Sequence, residues 1–479
     1  MFNYVKNFIV VFLFTFAFIS NSSLVSAEKN HPQNATTVDH LILGGTIVTM
    51  DPVNSIIEEG GVAIKQGRII AIGSRTEIKN LYNSNNIIDA TDKVILPGLI
   101  NGHAHTAMAL FRGLADDLEL QNWLTNYIFP AEARNVNEDF VRIGTRLGLA
   151  EMIKGGTTTF ADMYYFEDAV AEETAKAGVR GVLGQGVMDF PAPDGKTFDE
   201  GMQIAEKYIE KWQGHDLIVP AIAPHSPYIV SKDHLIAVSE LSKQTGAPIL
   251  IHVSETKQEV ERIEKEHGAS PVTYLKNIGF LNNQVIIAHM VFPKAEEIDI
   301  LKNSGAGVVH NPHSNMKLAS GIAPVPEMLL ADIPVGLGTD SAASNNDLNI
   351  WDEMDMAAKL HKVATGDPKA VTAKEALEMA TIRGARALHL ERDIGSLEVG
   401  KKADLIILDM DALHQTPCYN IYSNLVYATK ASDVNTVVIN GVVVMRDHTL
   451  LTLNEETIKE QARSYRDIVK KSLEKPSEK

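Results

Sequence analysis

Between residues 99 and 340 the chain repeats one pattern eight times: a short apolar, β-branched run that closes on polar residues and is followed by a helix-like stretch. The runs are 99–105, 157–163, 181–188, 218–225, 248–255, 284–289, 306–310 and 334–340, and stretches such as 233–244 and 375–388 carry the helical spacing. Eight such units predict an α/β fold, a (β/α)8 TIM-like barrel of parallel strands ringed by helices. Polar, chemically able residues gather at the C-terminal ends of the runs, the face on which barrel loops converge and active sites form.

The flanks read differently. From residue 39 to 89, short runs at 40–48, 61–65, 68–73 and 87–89 are broken by Gly, Asn and Asp, a hairpin texture rather than a helical one. The same texture returns at 403–409 and 436–446, where Asn440-Gly441 forms a strong two-residue turn. We therefore expect a small β-sandwich built from both chain ends, residues 28–97 and 395–450, around a barrel at 98–394. Residues 451–479 are expected to form a charged helix and tail without a catalytic role. At 479 residues the chain is long enough for two such units.

Residues 1–27 have the layout of a secretory signal: Lys6, an apolar stretch over 8–19, and the small-residue site Val25-Ser26-Ala27. Export with cleavage near Ala27 is expected; the alternative is an uncleaved N-terminal anchor, although the apolar stretch is shorter than the roughly 20 residues of a membrane span. A net charge of −17 argues against nucleic-acid binding, which draws on a Lys/Arg surplus, so a small-molecule partner is expected. The single cysteine, Cys418, can close no intrachain disulfide, and there is no phosphate-cradling Gly-rich loop with Lys-Ser/Thr.

Four run ends carry groups able to bind a metal. Pro97-Gly98-Leu99-Ile100-Asn101-Gly102-His103-Ala104-His105 places two imidazoles two residues apart, on one side of a strand. His252 ends the fifth run, His289 the sixth and Asp340 the eighth. Each alone has an ordinary reading: paired or satisfied core histidines, or an Asp that caps a helix or turn. Their joint delivery to one mouth makes coincidence a poor account.

At this point the chain resembles the amidohydrolase superfamily, in particular the branch of methylthioadenosine and S-adenosylhomocysteine deaminases. The segments that carry the resemblance are 97–105, 151–163, His225-Ser226-Pro227-Tyr228, 252–255, 311–321 and 338–346. The resemblance implies that His103, His105, His252 and Asp340 hold one divalent ion, Zn²⁺ with Fe²⁺ as the alternative. Two-metal relatives carry a modified lysine at the fourth strand's end, where this chain has His225, so one ion is expected. It further implies that Asp340 and His289 take up and orient the proton of an activated water, while Glu255 protonates the ring nitrogen beside the carbon under attack. On the substrate side, His225 is expected to hydrogen-bond the base and Glu132 the ribose hydroxyls, with Glu255 and Asp340 also touching substrate and Trp123 and Tyr127 walling the pocket.

The activity so implied is hydrolytic deamination of an adenosine-type nucleoside: 5′-methylthioadenosine, S-adenosylhomocysteine, 5′-deoxyadenosine or adenosine. Family arginine near the third strand's end can grip a homocysteine carboxylate, but Gly184-Gln185-Gly186-Val187-Met188 has none and Arg180 stands at the strand's start. This departure favours the smaller nucleosides. Export is a second departure, since family members are generally intracellular. Two rivals stay open: a guanine, pterin or triazine hydrolase (or chlorohydrolase) of the same branch, and a catalytically silent binding barrel. Homo-oligomerisation is left open as well.

Overall fold

The structure is a computed structural model that describes residues 35–473. The secretory-signal reading of residues 1–27 and the last residues of the tail, 474–479, lie outside the described residues. All eight expected strands form, as Leu99–Ala104, Thr157–Tyr164, Arg180–Val187, Ile218–Pro224, Ile249–Val253, Val285–His289, Gly307–His310 and Val335–Leu337. They pair in sequence order and in parallel. A parallel bridge between Ala104 and Asp340 closes the ring, with the Asp340 N–H donating to the His103 carbonyl at 2.9 Å. This seam sets the eighth strand's carboxylate beside the first strand's imidazoles.

Side chains fill the barrel's interior. Ile100, Ala161, Val182, Ala221, Leu250, Ile286 and Val309 form one buried cluster with Ala385, Leu388 and Ile394. Gly384 packs against Ile100, and the first residue of the seventh strand, Gly307, meets the Ala387 carbonyl, so the helix Ile382–Ala387 plugs the N-terminal end of the barrel. With that end shut, only the C-terminal mouth can admit a ligand. Gly338 is required at the seam, since a Cβ there would come within 2.8 Å of the His103 nitrogen and 2.6 Å of Asn311 Oδ1.

The β unit is two main sheets and a short parallel pair, Thr36–Thr37 with Tyr82–Asn83. One orders Thr449–Leu450, Val442–Arg446, Val434–Ile439, Leu405–Asp409, Lys93–Pro97, Thr46–Val48 and Ile56–Ile57; the other orders Arg68–Ser74, Gly60–Lys65, His40–Leu43 and Ile87–Asp89. Ile42, Val62, Ile64 and Ile69 of the smaller sheet bury against Ile47, Ile95, Leu405 and Ile407 of the larger. Lys93–Pro97 pairs antiparallel with Leu405–Asp409, so segments from both sides of the barrel share one sheet. The Asn440-Gly441 turn forms, with φ of 49° and 76°, the left-handed pair that a tight hairpin needs.

Three local expectations need correction. The run 40–48 is two strands in different sheets, because Gly44 and Gly45, at φ 92° and 75°, turn the chain between them. The first flank is not all hairpin: Arg75–Leu81 is a helix, started by a capping box between Ser74 and Glu77. The stretch 375–388 is interrupted at Thr381 (φ −132°, ψ −102°), which frees Ile382–Ala387 to turn across the barrel's base. The C-terminal helix Glu455–Leu473 lies on Glu138–Lys154, with Tyr465 edge-on to Phe140 and Glu455 paired to Lys154 at 2.9 Å. Among the described residues no helix is long and apolar enough to cross a membrane.

Candidate active site

Five side chains from four strand ends converge at the open mouth. Ligand atoms of His103, His105 and Asp340 lie within 4.8 Å of one another, as do those of His103, His252 and His289. His105 Nε2 is 3.3 Å and His103 Nε2 3.4 Å from Asp340 Oδ1, and His252 Nε2 is 3.4 Å from His105 Nε2. The rings are aimed from behind: His105 Nδ1 lies 2.6 Å from the Met163 carbonyl and His252 Nδ1 lies 2.7 Å from the His225 carbonyl. A carbonyl can only accept, so these bonds put a proton on Nδ1 and point Nε2 inward. Buried His103 Nε2 has no hydrogen-bond partner.

This donor set fits a divalent cation. Burial holds His252 well below its ordinary range and His103 at about 4, leaving neutral imidazoles with free lone pairs. Burial also opposes a charge on His105, yet the Asp340 carboxylate lifts it to about 9, so the cluster favours positive charge at its centre. Three imidazoles with one carboxylate are a donor set that Zn²⁺ accepts. His289, expected as a proton carrier, is also close enough to belong to the ligand cluster.

The groups expected to handle protons, Asp340, Glu255 and His289, sit at this centre. Burial opposes ionisation of Asp340, but His103 and His105 hold its carboxyl well below the usual carboxylate range. Its Oδ2 accepts from Ser314 and Ser344 hydroxyls at 2.6 and 2.8 Å, which leaves Oδ1 facing the imidazoles. Glu255 is in the opposite state, because burial and then the charge of Asp340 push it up to about 8, making it a neutral acid near pH 7. Burial keeps His289 neutral, and its Nδ1 lies 2.9 Å from Asn315 Oδ1, leaving Nε2 free 3.7 Å from Glu255 Oε2. Ser254, His289 and Asp340 all have left-handed backbones (φ 56°, 75° and 61°). Non-glycine residues in that region cost about 1–3 kcal/mol each and cluster at functional sites.

A pocket opens onto these groups. Glu132, Trp123, Phe129, Tyr164, Met188 and His225 line it together with His105, His252, Glu255, His289 and Asp340. Glu132 is buried, accepts from the Tyr164 hydroxyl at 2.8 Å, and burial raises it to about 7. His225 is neutral, with burial pushing it down to about 3. Tyr127, expected in the wall, instead points to solvent at 45% exposure: it lies on the outer side of a helical segment whose inner side carries Trp123, Leu124 and Ile128. Arg180 is far from this mouth in function: it forms a buried pair with Asp404, Nε to Oδ2 2.8 Å, tying the barrel to the sandwich.

Sequence reasoning missed the groups that hold the named ones. Ser314 and Ser344 on Asp340, Asn315 on His289, Tyr164 on Glu132 and the buried Glu259 all come from ordinary polar positions. Glu259 accepts from the Ser254 and Glu255 N–H groups at 2.7 Å each and so fixes the bend that turns Glu255 inward. A buried-side carboxylate four residues after Glu255, on the first turn of a helix, was the available signal.

Comparison with known proteins agrees with this geometry. A family profile described as the amidohydrolase family matches residues 94–444. The chain is 45% identical over 439 residues to a 5-methylthioadenosine/S-adenosylhomocysteine deaminase of Syntrophus aciditrophicus, covering 92% of this chain and 99% of that one. It is 42% identical over 428 residues to a 5′-deoxyadenosine deaminase of Methanosarcina acetivorans, covering 89% and 97%. A zinc-bound crystal structure of an adenosine deaminase from Xanthomonas campestris superposes with a TM-score of 0.90 at 35% identity, covering 91% of this chain and all of that one.

Proposed function

The chain belongs to the amidohydrolase family, and from that premise we propose that it is a metal-dependent hydrolytic deaminase of adenosine-type nucleosides: 5′-methylthioadenosine, S-adenosylhomocysteine, 5′-deoxyadenosine or adenosine. The observation that carries this reading is a buried, neutral Glu255 set beside an ionised Asp340 at the edge of a histidine cluster built for a cation. One carboxyl ready to give a proton and one ready to take it are what exchange of a ring amine for an oxygen needs.

His103, His105, His252 and Asp340 hold one divalent ion in this reading, Zn²⁺ with Fe²⁺ as the alternative. When bound, such an ion acidifies a water toward a pKa of about 7, making hydroxide available at neutral pH. Asp340 Oδ1 and the free Nε2 of His289 accept and orient the water's proton. Glu255 donates its proton to the ring nitrogen next to the amine-bearing carbon, which becomes electrophilic. Oxygen adds to that carbon, the amine takes up the first proton removed from water while the oxygen's second proton returns to Glu255, and the carbon–nitrogen bond breaks to release ammonia and leave a ring carbonyl. His225 orients the base, and Glu132, with the Tyr164 hydroxyl on Oε1 and the Tyr165 hydroxyl 3.5 Å from Oε2, accepts from ribose hydroxyls through its remaining lone pairs.

The commitment of Arg180 to Asp404 supports a preference for nucleosides with small neutral 5′ groups over a homocysteine tail. The test is ammonia release, followed with the loss of adenine absorbance, from Zn²⁺-loaded protein given these four nucleosides, guanine, a pterin and a triazine. Turnover of nucleosides alone is expected. Turnover of free bases with none of any nucleoside would overturn the ribose role of Glu132 and the nucleoside reading with it.

A further inference from the structure

Behind the second barrel strand lies a buried acid that the reaction does not use. Ala161 and Met163 point into the barrel interior, so Asp162 between them faces the helix layer and does not line the pocket. It is fully buried, and one oxygen takes two donors from a single residue: the Thr106 N–H at 2.6 Å and the Thr106 hydroxyl at 2.5 Å. Its other oxygen faces the carboxyl of Glu167, a residue that is likewise fully buried and that the Tyr164 N–H also reaches. Burial and then the neighbouring Asp162 carboxyl push Glu167 well above the usual carboxylate range. Among the described residues no lysine or arginine pairs with this acid; the groups that act on it most are Thr106, His105 and Glu167. A buried carboxylate without a cationic side chain is costly, which calls for a compensating role.

Thr106 directly follows His105, whose Nδ1 is held by the carbonyl of Met163, the residue directly after Asp162. Two adjacent residues of the second strand thus clamp the two residues that directly follow the first strand through three hydrogen bonds. The strands pair at Ala104 and Asp162, but their register is irregular between Asn101 and Ala104, so the sheet ladder alone leaves this stretch loosely specified. We propose that Asp162, though not a ligand, is a positioning residue for the metal site: by gripping Thr106 it holds the backbone that aims His105 at the cation. This rests on the reading above that His105 is a ligand. Groups behind a ligand typically change metal affinity by about 10–100-fold when they are lost.

The test measures Zn²⁺ affinity of the full chain by competition with a chromophoric chelator, alongside melting temperature with and without Zn²⁺. Asp162→Ala should raise the Zn²⁺ dissociation constant by about 10–100-fold and shrink the melting-temperature gain on adding Zn²⁺. Asp162→Asn keeps the oxygen that serves both Thr106 donors and should stay within about threefold of the parent. Thr106→Val removes one donor and keeps the volume, so it reads the clamp even if the alanine variant does not fold; it should weaken Zn²⁺ binding by severalfold. The inference is overturned if Asp162→Ala or Thr106→Val binds Zn²⁺ as the parent does, with only a parallel fall in both melting temperatures. It is equally overturned if Asp162→Asn loses as much as Asp162→Ala, since the bonds to Thr106 would then not be the carrier. A parent chain that binds no Zn²⁺ would instead defeat the metal reading itself.

Discussion

Replacing Glu255 by Gln should separate the chemistry of this site from its architecture. The acid is buried and neutral, its carboxyl held up to about 8, so the amide is nearly its isostere. Its contact with the enclosure, the Ser320 hydroxyl on Oε1 at 3.4 Å, survives in the amide. What disappears is the transferable proton, and positioned proton transfer is worth about 10²–10⁴ in rate, or roughly 3–5 kcal/mol of barrier. Glu255→Gln should therefore lower kcat by at least about 100-fold while leaving KM and Zn²⁺ content near the parent's. The stability of the metal-free protein gives an independent reading. A carboxyl with a folded-state pKa of about 8 against an ordinary 4.5 binds more protons folded than unfolded between those values. Stability tied to that proton is full below about pH 4.5 and is lost as pH climbs through about 8, an upper bound on the order of 5 kcal/mol. The amide has no proton to lose, so the metal-free variant should melt higher than the metal-free parent at pH 9 and about equally at pH 5. A Glu255→Gln enzyme retaining a tenth or more of parental kcat would refute the acid role, and equal melting at pH 9 would refute the buried neutral state.

Asp340→Asn should fold, since Asn can keep one Ser hydroxyl contact, but lose turnover and weaken Zn²⁺ binding; metal analysis with an ammonia assay checks it, and retained activity sinks the role of Asp340. Glu132→Gln should raise KM for nucleosides about tenfold, a loss of roughly 1.4 kcal/mol expected from one lost hydrogen bond; an unchanged KM would place ribose elsewhere. Arg180→Met strands the buried Asp404 carboxylate and should cost about 3–5 kcal/mol, read as a lower melting temperature that Arg180→Met with Asp404→Asn partly restores; an unshifted single variant would contradict the pairing. We also propose export with cleavage after Ala27, so sequencing of the secreted or periplasmic chain should begin at Glu28; protein found only in the cytoplasm with residues 1–27 intact would refute it.

The legible part of this protein was what has a period or a chain position. Strands buried on both faces are continuous apolar runs, and each run of the barrel formed within a few residues of where its pattern stops. His103, His105, His252, His289 and Asp340 could be read because each ends such a run, and parallel order brings run ends to one mouth. Where turning depended on paired glycines, as at Gly44-Gly45, or on a single break, as at Thr381, the local pattern did not show which sheet or axis the next segment would join.

From sequence alone came the barrel, its mouth and the five side chains at its rim, because alternation and spacing are local and survive without knowledge of neighbours. Only tertiary structure decided the proton states and aims of those side chains. Glu255 is neutral and Asp340 ionised because of what buries and faces each. His105 and His252 present Nε2 because carbonyls of other strands hold Nδ1. Solvation and hydrogen bonding are set by groups brought close in space from distant parts of the chain, and no window of sequence contains them.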